Sequence, residues 1–582
     1  MIADDPLGRV LEIDLSSRSF DIVERPELFA EGIGGAGVAI RLLEEHCPSG
    51  ADPASPENPI VFAVGPLVGL FPLASKTVAM FKSPHTGNLG ESHAGGRSAI
   101  AIRMAGFGAI VIKGSSQSPV YLAIAGDRVH FRDASALWGL RSSYTVGSVI
   151  RQREKGSGIR TIMRIGRAGE RGVTYAGVIT ETYRHFGRLG LGAVFGSKKL
   201  KAVVISGSRS LPVADRKAYR ALYDTIYQAA TTSPVMNKYH ELGTAVNVKP
   251  LSGIGALPTR NLQSGQFEGA DEISAERLAE RYLGRRVACA HCPVACIHLA
   301  SLRTPYPNDP YFYKTTMIGY DHEPIFAMGS MLGVSDVPGL LRLLDEAEVQ
   351  GLDVMSAGVV LAWATEALER GLITLELLDG IPLEWGVAAA YVEAARRIVT
   401  QPTDLYRAMA RGVAHAASVY GGADFALAFG GNEMPGYHTG PACHLGYLTG
   451  ARHSHLDSAG YSVDQKVMGT GKPVTPEGVA EQLLTEERWR QVLTSLVICL
   501  FARGVYTEEI VRQALEAAGF SDVDLKALGA DILRRKHAFK RREGFDPEAM
   551  TIPRRILETP SPAGHFDEAF LRAAITHYMA NL

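Results

Sequence analysis

Residues 206–229, SGSRSLPVADRKAYRALYDTIYQA, mark a change in the pattern of the sequence. Before this stretch the chain consists of short β-like runs separated by turns, whereas after it apolar residues recur at intervals of three and four, as in amphipathic helices. We therefore predict an α+β protein in which a β-rich N-terminal domain is followed by two mainly α-helical domains. The expected domains are residues 1–210, 211–420 and 421–582, with the last boundary near a cluster of glycines.

Individual runs support this prediction. GRVLEIDLSSRSFDIVE, residues 8–24, alternates around a polar turn and predicts a hairpin, and so does YLAIAGDRVHF, residues 121–131, around its Gly-Asp turn. GLLRLLDEAEVQGL, residues 339–352, and GVVLAWATEALERG, residues 358–371, have helical spacing. Residues 300–320 are expected to form a loop that serves as a substrate lid or a partner surface.

The bulk composition excludes several classes of protein. The 582 residues include 60 basic and 61 acidic ones, for a net charge of -1, so no basic face for nucleic acid is expected. The sequence contains no run of about 18 apolar residues, so no membrane span is predicted, and the N-terminus does not resemble a signal peptide. Six cysteines are too few for a disulfide framework in a chain of this length. We expect a cytoplasmic protein whose cysteines bind metal.

Three of the six cysteines fall within CAHCPVAC, residues 289–296. Thiolates bind soft metals, and three interpretations are open: a 4Fe–4S cluster completed by a distant cysteine, a structural zinc completed by His291 or His298, or buried cysteines that pack as small apolar groups. Zinc sites more often use two separated pairs than one triplet, so the spacing favours iron–sulfur. The fourth ligand would be a histidine or one of Cys47, Cys443 and Cys499.

Two glycine-rich segments lie in the β-rich region. They are KSPHTGNLGESHAGGRSA, residues 82–99, and YRHFGRLGLGAVFGSKKLKA, residues 183–202. Glycines let the backbone approach a ligand, and backbone N–H groups together with arginines can hold phosphates. Either segment alone is also compatible with an ordinary turn. Two of them in one domain, with a metal-binding loop further on, predict a large phosphorylated cofactor.

Two further segments carry candidate acid–base groups. TGARHSHLDSAGY, residues 449–461, resembles a loop and contains His453 and His455, which suit proton transfer near neutral pH or structural hydrogen bonds. GYDHEPIFAMGSMLG, residues 319–333, places Glu323 before an apolar run. This glutamate is either a carboxylate that stabilises a helix start or a buried acid with a raised pKa.

Taken together, these segments resemble the tungsten-containing aldehyde:ferredoxin oxidoreductases nearly end to end. The resemblance rests on five motifs in family order: SKTVAMFKSPHTGNLGESHAGG (residues 75–96), RHFGRLGLGAVFGSKKLKA (184–202), CAHCPVAC (289–296), EVQGLD (348–353) and TSLVICLF (494–501). It implies a β-rich domain and two helical domains with the cofactors at their interface. The implied cofactors are a tungsten bis-pyranopterin, with molybdenum as the alternative metal, one 4Fe–4S cluster, and a magnesium ion that bridges the pterin phosphates.

The resemblance also implies roles for individual residues. The implied cluster ligands are Cys289, Cys292, Cys296 and Cys499. The implied pterin contacts are Lys76, Thr77, His93 and Gly95 in the first segment, and Arg184, His185, Gly187 and Arg188 in the second. The two pterin motifs contribute Glu348, Asp353, Thr494, Ile498 and Leu500. This chain departs from the family where Thr494 replaces an aspartate, where Val497 and Ile498 replace Gly-Leu, and where Lys76 and His93 replace the commoner Arg and Asn.

The implied reaction is the oxidation of an aldehyde with water to a carboxylic acid, with electrons passed through the cluster to a ferredoxin or an iron–sulfur partner subunit. Glu323 would activate water or relay a proton, and His453 or His455 would donate a hydrogen bond to the carbonyl oxygen. A homo- or hetero-oligomer is expected, with no nucleic-acid or membrane partner. One alternative is a low-potential aromatic acyl-CoA reductase with Cys443 on the tungsten. Another is a zinc-stabilised protein without redox activity.

Overall fold

The computed structural model describes residues 5–213, 215–306, 308–468, 470 and 474–582. Its N-terminal part is built on two six-stranded mixed sheets. The strands of the first sheet are β1 (Arg9–Asp14), β2 (Ser19–Glu24), β3 (Ile60–Ala63), β4 (Thr77–Lys82), β5 (Leu89–Ala94) and β6 (Ala109–Lys113). Their order is β2-β1-β6-β3-β4-β5, in which β1 and β6 are the parallel pair.

The second sheet has the order β11-β10-β9-β12-β7-β8, in which β7 and β12 are parallel. Its strands are β7 (Val120–Ala125), β8 (Arg128–Asp133), β9 (Ile159–Arg164), β10 (Val178–Ile179), β11 (His185–Phe186) and β12 (Leu200–Gly207). The helices of this part are α1 (Pro26–Gly32), α2 (Gly35–His46), α3 (Ser98–Ala105), α4 (Ser143–Arg153), α5 (Arg167–Glu170) and α6 (Leu191–Ser197). Helices α2 and α3 pack on the sheets, so β3 and β12 are buried throughout, and the centre of each strand is apolar.

The structure confirms both predicted hairpins. Strands β1 and β2 pair in register from Arg9↔Glu24 to Asp14↔Ser19. Strands β7 and β8 close at Ala125↔Arg128, and Gly126 in their turn has a φ of 57°. This left-handed backbone conformation is readily available to glycine, which explains the Gly-Asp turn.

The C-terminal part is mainly helical. Its helices before the histidine segment are α7 (Arg216–Thr232), α8 (Pro234–Leu242), α9 (Val248–Gly253), α10 (Ala275–Arg281), α11 (His322–Met328), α12 (Val337–Gln350), α13 (Val354–Glu369), α14 (Ala388–Thr400), α15 (Asp404–Met409) and α16 (Val413–Tyr420). The remaining helices are α17 (Pro441–Thr449), α18 (His455–Ser458), α19 (Gly460–Val467), α20 (Pro476–Ser495), α21 (Glu508–Ala517), α22 (Leu525–Arg542), α23 (Arg555–Glu558) and α24 (Glu568–Ala580). The predicted α+β class is therefore confirmed.

Two large cores cross the predicted domain boundaries. Val492 of α20 and Ile532 of α22 are buried together with Phe62 of β3, so C-terminal helices pack against the first sheet. Leu340 of α12 and Leu483 of α20 belong to the second core, although they lie on opposite sides of residue 420. The division of the helical part at residue 420 consequently stays a prediction.

The expectation of a loop over residues 300–320 is wrong. Residues 300–306 and 309–320 belong to β14 (Ile297–Tyr306) and β15 (Asp309–Tyr320), which pair next to β13 (Leu283–Val287) in a three-stranded antiparallel sheet. Residue 307 lies outside the described residues. Aromatic and threonine residues are frequent here and favour strands. Tyr311 and Phe312 near the tip are exposed. A further two-stranded sheet consists of β16 (Ala428–Phe429) and β17 (Asn432–Glu433).

The histidine segment also contains more regular structure than expected. Ser454 caps α18: its hydroxyl accepts a hydrogen bond from the backbone N–H of Leu456, and it forms a capping box with Asp457. His455 is thus the first residue of a short helix, and the loop expected for residues 449–461 is interrupted by α18 and α19. A capping box of this kind can stabilise even one helical turn.

Candidate active site

The cysteine triplet lies in the loop that connects neighbouring strands β13 and β14. Cys499 comes close to this loop because the backbone of Leu73 bridges the two segments. The N–H of Leu73 donates to the carbonyl oxygen of His291 (3.0 Å), and the N–H of Cys499 donates to the carbonyl oxygen of Leu73 (3.0 Å). Leu73 lies in the connection between β3 and β4, and its two hydrogen bonds thus bring Cys499 to the triplet.

The four thiols are close enough to affect one another. Burial, together with negative charge on Cys289, Cys499 and Cys296, raises the pKa of the Cys292 thiol to about 12. Burial also raises the pKa of Cys296 to about 11, although the Arg184 guanidinium opposes the rise. The structure therefore brings together the four sulfurs that the family resemblance implies as ligands.

Two cations are buried beside these sulfurs. Burial by itself would lower the pKa of Lys76, but negative charge on the thiols of Cys499 and Cys289 raises it. Arg184 Nη2 lies 3.9 Å from Cys296 Sγ, and its Nη1 forms an ion pair with Asp321. Buried cations next to four thiols match a cluster held by thiolates, whose negative charge they offset.

Gly95 borders the same site. A Cβ atom built at this position would lie 2.7 Å from Cys289 Sγ and 3.1 Å from Lys76 Nζ. A side chain here would therefore displace a cysteine sulfur.

Within the described residues, no group of three or more His, Cys, Asp or Glu side chains is arranged to hold a single metal ion.

The other residues of the first segment sit on paired strands. Thr77 opens β4, and its hydroxyl lies 2.7 Å from the Ser98 hydroxyl. His93 on β5 faces the cavity described below, with Nε2 2.7 Å from Glu91 Oε1. Burial lowers the pKa of His93 to about 4, so the ring is neutral at pH 7. Lys536 of α22 completes this group through its ion pair with Glu91 (2.5 Å).

The second segment lies on and after β11. His185 Nε2 is 2.8 Å from Glu348 Oε2, which joins this segment to the first pterin motif. Arg188 Nη2 donates to the Glu433 carbonyl oxygen (2.6 Å), and its Nε donates to Asp353 Oδ2 (3.4 Å). Arg188 Nη1 is buried and has no hydrogen-bond partner in the described chain. A buried guanidinium with a free donor is suited to an anionic group such as a pterin phosphate.

The EVQGLD motif spans the junction of α12 and α13. Gly351, with a φ of 80°, ends α12, and Asp353 caps α13 by accepting hydrogen bonds from the N–H groups of Met355 and Ser356. Glu348 and Asp353, together with Gly187 and Arg184, line a small cavity of ≈ 110 Å³. The motif therefore places two carboxylates around space that a cofactor can fill.

The second motif leads from α20 to Cys499. Thr494 is buried at the end of α20, where its hydroxyl donates to the Gln491 carbonyl oxygen (3.2 Å). Ile498 pairs with Ala74 in an isolated β-bridge that aligns Cys499, and Leu500 begins the next turn. In this motif the backbone orients Cys499, while the Thr494 side chain forms its hydrogen bond within α20.

A larger cavity of ≈ 300 Å³ lies between the sheets and the helical part. Residues from both glycine-rich segments line it together with residues of α11 and α18 and the N-cap of α13: His93, His185, Gly187, Arg188, Glu323, His455 and Asp353. Segments that are far apart in sequence therefore surround one space beside the cysteines. This is the arrangement expected of an active site that holds a large cofactor.

Glu323 lies in the first turn of α11 and is buried in this cavity wall. Burial raises its pKa to about 7, even though the N–H of Gly436 donates to Oε2 (3.0 Å). Its Oε1 lies 3.3 Å from His455 Nε2. Both interpretations of Glu323 from the sequence thus apply, because it starts a helix and is also a buried acid. A carboxyl with a pKa near 7 is suited to acid–base chemistry.

The structure separates the two candidate histidines. His455 lines the cavity, and burial holds its pKa well below the usual range, so its ring is neutral. His453 is absent from the cavity lining: its Nδ1 lies 2.8 Å from the Tyr447 carbonyl oxygen and its Nε2 lies 2.7 Å from Lys540 Nζ. Only His455 is therefore placed beside Glu323.

The sequence did not indicate two tyrosines of this cavity. Tyr437 and Tyr461 stack with ring centroids 4.4 Å apart, and the Tyr437 ring lies 5.3 Å from that of His455. The glycine cluster before Tyr437 was the available signal, but it was interpreted as a domain boundary. Cys443 does not line the cavity; its thiol donates to the Tyr447 hydroxyl (3.0 Å), and burial raises its pKa to about 12.

The described helices were also tested as membrane spans. None of them alone has the length and apolar character needed to cross a bilayer. One sharply bent pair, His322–Leu332 with Val337–Gln350, passes by length and composition only.

One solved structure similar to the chain is the active site complex BamBC of benzoyl coenzyme A reductase in complex with 1,5 dienoyl-CoA. The two folds agree with a TM-score of 0.83 over 99% of this chain and 94% of that one. Sequence identity is 21%, so this likeness concerns the fold alone.

Relatives are also found by sequence. The tungsten-containing aldehyde ferredoxin oxidoreductase of Thermococcus kodakarensis is 33% identical over 578 residues, and that of Pyrococcus furiosus is 32% identical over the same length. Each alignment covers 96% of this chain and 92% of the relative. A protein of Pyrococcus furiosus named aliphatic sulfonate oxidoreductase, WOR-like subunit, is 30% identical over 410 residues, or 67% of this chain and 64% of that protein.

Family models agree with these relatives. Residues 10–207 match the aldehyde ferredoxin oxidoreductase N-terminal domain, and residues 221–580 match domains 2 and 3 of the same family. The two matches lie on either side of the junction at which β12 ends and α7 begins. With four converging cysteines and a buried Glu323–His455 pair at the common cavity, the chain belongs to the aldehyde ferredoxin oxidoreductase family.

Proposed function

We propose that this chain oxidises aldehydes to carboxylic acids and passes the electrons to a one-electron carrier. When bound, the tungsten bis-pyranopterin would take two electrons from the substrate, and the 4Fe–4S cluster would pass them on singly. The observation that carries the proposal is the Glu323–His455 pair at 3.3 Å, in a cavity that also borders the segments assigned to the pterins.

Glu323 is proposed as the acid–base residue. Because its pKa is about 7, the carboxyl is near half ionisation at neutral pH and can both accept and return a proton. The ionised form would remove a proton from the water that becomes the second oxygen of the acid. The N–H of Gly436 donates to Oε2, whereas Oε1 accepts no hydrogen bond within the described chain and lies 3.3 Å from His455 Nε2, so Oε1 is the oxygen that would carry this proton beside the histidine.

His455 is proposed as the hydrogen-bond donor to the carbonyl oxygen of the aldehyde. Its ring is neutral, so one nitrogen carries a proton while the other is an acceptor. When protonated Glu323 donates to Nε2, Nδ1 carries the proton and can donate to an oxygen that gains negative charge. Nδ1 makes no hydrogen bond within the described chain.

The cofactors would be held by residues of all the motifs. Cys289, Cys292, Cys296 and Cys499 would ligate the cluster, with Lys76 and Arg184 offsetting its charge. Arg188, whose Nη1 has no partner in the described chain, would bind an anionic pterin group. Further pterin contacts are proposed for Thr77, His93, Gly95, His185, Gly187, Glu348, Asp353, Thr494, Ile498 and Leu500.

Anaerobic purification and elemental analysis test this proposal directly. We expect tungsten or molybdenum, iron in the ratio that one 4Fe–4S cluster requires, and aldehyde-dependent reduction of a viologen dye. A colourless, iron-free protein with stoichiometric zinc would instead support the zinc-stabilised alternative. Reduction of aromatic acyl-CoA with no aldehyde oxidation would support the acyl-CoA alternative. That alternative places Cys443 on the tungsten, whereas the Cys443 thiol packs against Tyr447 outside the cavity lining.

A further inference from the structure

A cationic cleft opens on the surface next to the cysteine loop. Its volume is ≈ 620 Å³, and its wall residues come from both the second sheet and β13. The basic residues that line it are Arg97, Arg151, Arg160 and Arg285. Glu181 is the single acidic residue of the described lining, and one of its carboxylate oxygens already accepts hydrogen bonds from Thr161 and from the N–H of Ile162. The cleft is therefore strongly positive.

The guanidinium groups of this cleft form no ion pair with any carboxylate of the described residues. In the described parts of the molecule, no carboxylate oxygen lies within 4.0 Å of any of the four guanidinium groups. Arg160 donates to the backbone carbonyl of Glu154, and Arg97, Arg151 and Arg285 are exposed. By contrast, arginines at the active site are paired with carboxylates: Arg184 forms an ion pair with Asp321, and Arg188 forms one with Asp353. A cleft lined by one sign of charge concentrates the field and attracts an oppositely charged partner.

The cleft also lies against the proposed cluster site. Ala290 lines it and is the next residue after Cys289, so their Cα atoms are about 3.8 Å apart. Tyr183 and Val287 line the cleft and also pack against Cys289. The N–H of Ala290 donates to the Gly96 carbonyl oxygen (2.8 Å), which holds this wall in place. The cleft therefore borders the cysteine loop through Tyr183, Val287 and Ala290.

We infer that this cleft is the docking site of an acidic protein that carries one electron at a time, such as a ferredoxin. The inference rests on the proposed function, in which one aldehyde and one water yield one carboxylic acid, two protons and two electrons. Two oxidised carrier molecules would each leave reduced by one electron. Arg97, Arg151 and Arg285 are exposed and come from three separate parts of the chain, which suits the charged rim of a protein interface that guides encounter and sets register.

The test compares two electron acceptors in the same holoenzyme. The variant Arg151→Glu/Arg285→Glu reverses two exposed charges of the cleft. With a plant-type 2Fe–2S ferredoxin of negative net charge as acceptor, we expect kcat/KM for the carrier to fall at least about tenfold. With a small viologen dye as acceptor, aldehyde oxidation should stay within roughly twofold of the wild-type rate, since steering of an acidic protein is not involved.

A matched control separates local from global charge effects. Arg220→Glu/Lys526→Glu changes the net charge by the same amount at exposed positions outside the cleft lining, and should leave both rates unchanged. Raising ionic strength should reduce ferredoxin kcat/KM in the wild type and in this control, but much less in the cleft variant. Arg151→Gln/Arg285→Gln, with an unaltered Tm, should show a smaller loss of the same kind.

Several outcomes would overturn the inference. They are an unchanged ferredoxin kcat/KM in the cleft variant, an equal loss in the control, or inhibition by pyrophosphate that competes with the aldehyde and disappears in the cleft variant. The last would assign the cleft to an anionic part of the substrate. Absence of dye-linked aldehyde oxidation in the wild type is a separate result, because it would refute the proposed function itself.

Discussion

Oε1 of Glu323 lies 3.3 Å from Nε2 of His455, although the two residues belong to different helices and are far apart in sequence. Burial opposes charge on both: it raises the pKa of the glutamate to about 7 and holds the pKa of the histidine well below its usual range. At neutral pH the pair therefore consists of a partly protonated carboxyl beside a neutral imidazole and not of a full buried ion pair. Acid–base pairs with such shifted pKa values are concentrated at catalytic sites.

Replacing Glu323 by glutamine should lower the rate of dye-linked aldehyde oxidation by roughly 10²-fold or more, because the amide cannot accept the proton. Tungsten and iron content should not change. Glu369→Gln, an exposed change on α13, serves as the control and should leave the rate intact. A wild-type rate in fully metallated Glu323→Gln would remove this residue from the proposed role.

The pH dependence should report the same group. The ionised carboxylate is the form that accepts a proton, so kcat/KM should rise with pH below the pKa of about 7 and level off above it. In Glu323→Gln the residual activity should lack this inflection. A wild-type profile that is flat between pH 5 and pH 9 would contradict a pKa near 7 for the catalytic base.

The two histidines should respond differently to substitution. His455→Gln should lower kcat by about 10²-fold, the usual cost of losing a hydrogen bond to a developing negative charge. His453→Gln should instead lower the free energy of unfolding by about 1–3 kcal/mol, since it breaks buried hydrogen bonds to Tyr447 and Lys540. Two measurements distinguish these effects: the rate per bound tungsten, and the Tm of each variant. A loss of rate in His453→Gln, with only a loss of stability in His455→Gln, would assign catalysis to His453.

Cys499→Ser should reduce iron per chain and weaken the broad visible absorption of the iron–sulfur cluster, because a serine hydroxyl is a poorer ligand than a thiolate. Cys443→Ser is the matched control: this thiol packs against Tyr447, so iron content should stay at the wild-type value. Equal iron content in the two variants would exclude Cys499 as a ligand.

Gly95→Ala should also impair cluster loading, because the added Cβ would lie 2.7 Å from Cys289 Sγ. Iron per chain and the cluster's visible absorption are the readouts. Gly253→Ala places its Cβ where no atom lies within 4 Å and should be neutral. A fully loaded Gly95→Ala protein would show that the cluster tolerates a displaced sulfur.

Local patterns accounted for much of the molecule. The two N-terminal hairpins follow from alternation and turn residues, and the position of the helical part follows from apolar spacing. The hairpin of β14 and β15 was missed because it lies inside a helical region and its strands are stabilised by pairing with β13 and with each other. The one-turn helix at His455 was missed because its stability comes from a cap at Ser454 and not from periodicity.

By itself, the sequence determined the β-rich and helical regions apart from the β14–β15 hairpin and the helix at His455. It also determined the cysteine triplet, the two glycine-rich segments and the family resemblance, since each depends on residues close together in the chain. Only the tertiary structure placed His455, and not His453, beside Glu323. It also brought Cys499 to the triplet through Leu73, and the guanidinium groups of the cationic cleft to the wall of the cysteine loop. Apart from Arg285, which precedes Cys289 by only a few residues, the residues joined in these relationships lie more than a hundred positions apart. Such contacts depend on how buried surfaces pack, which no local pattern encodes.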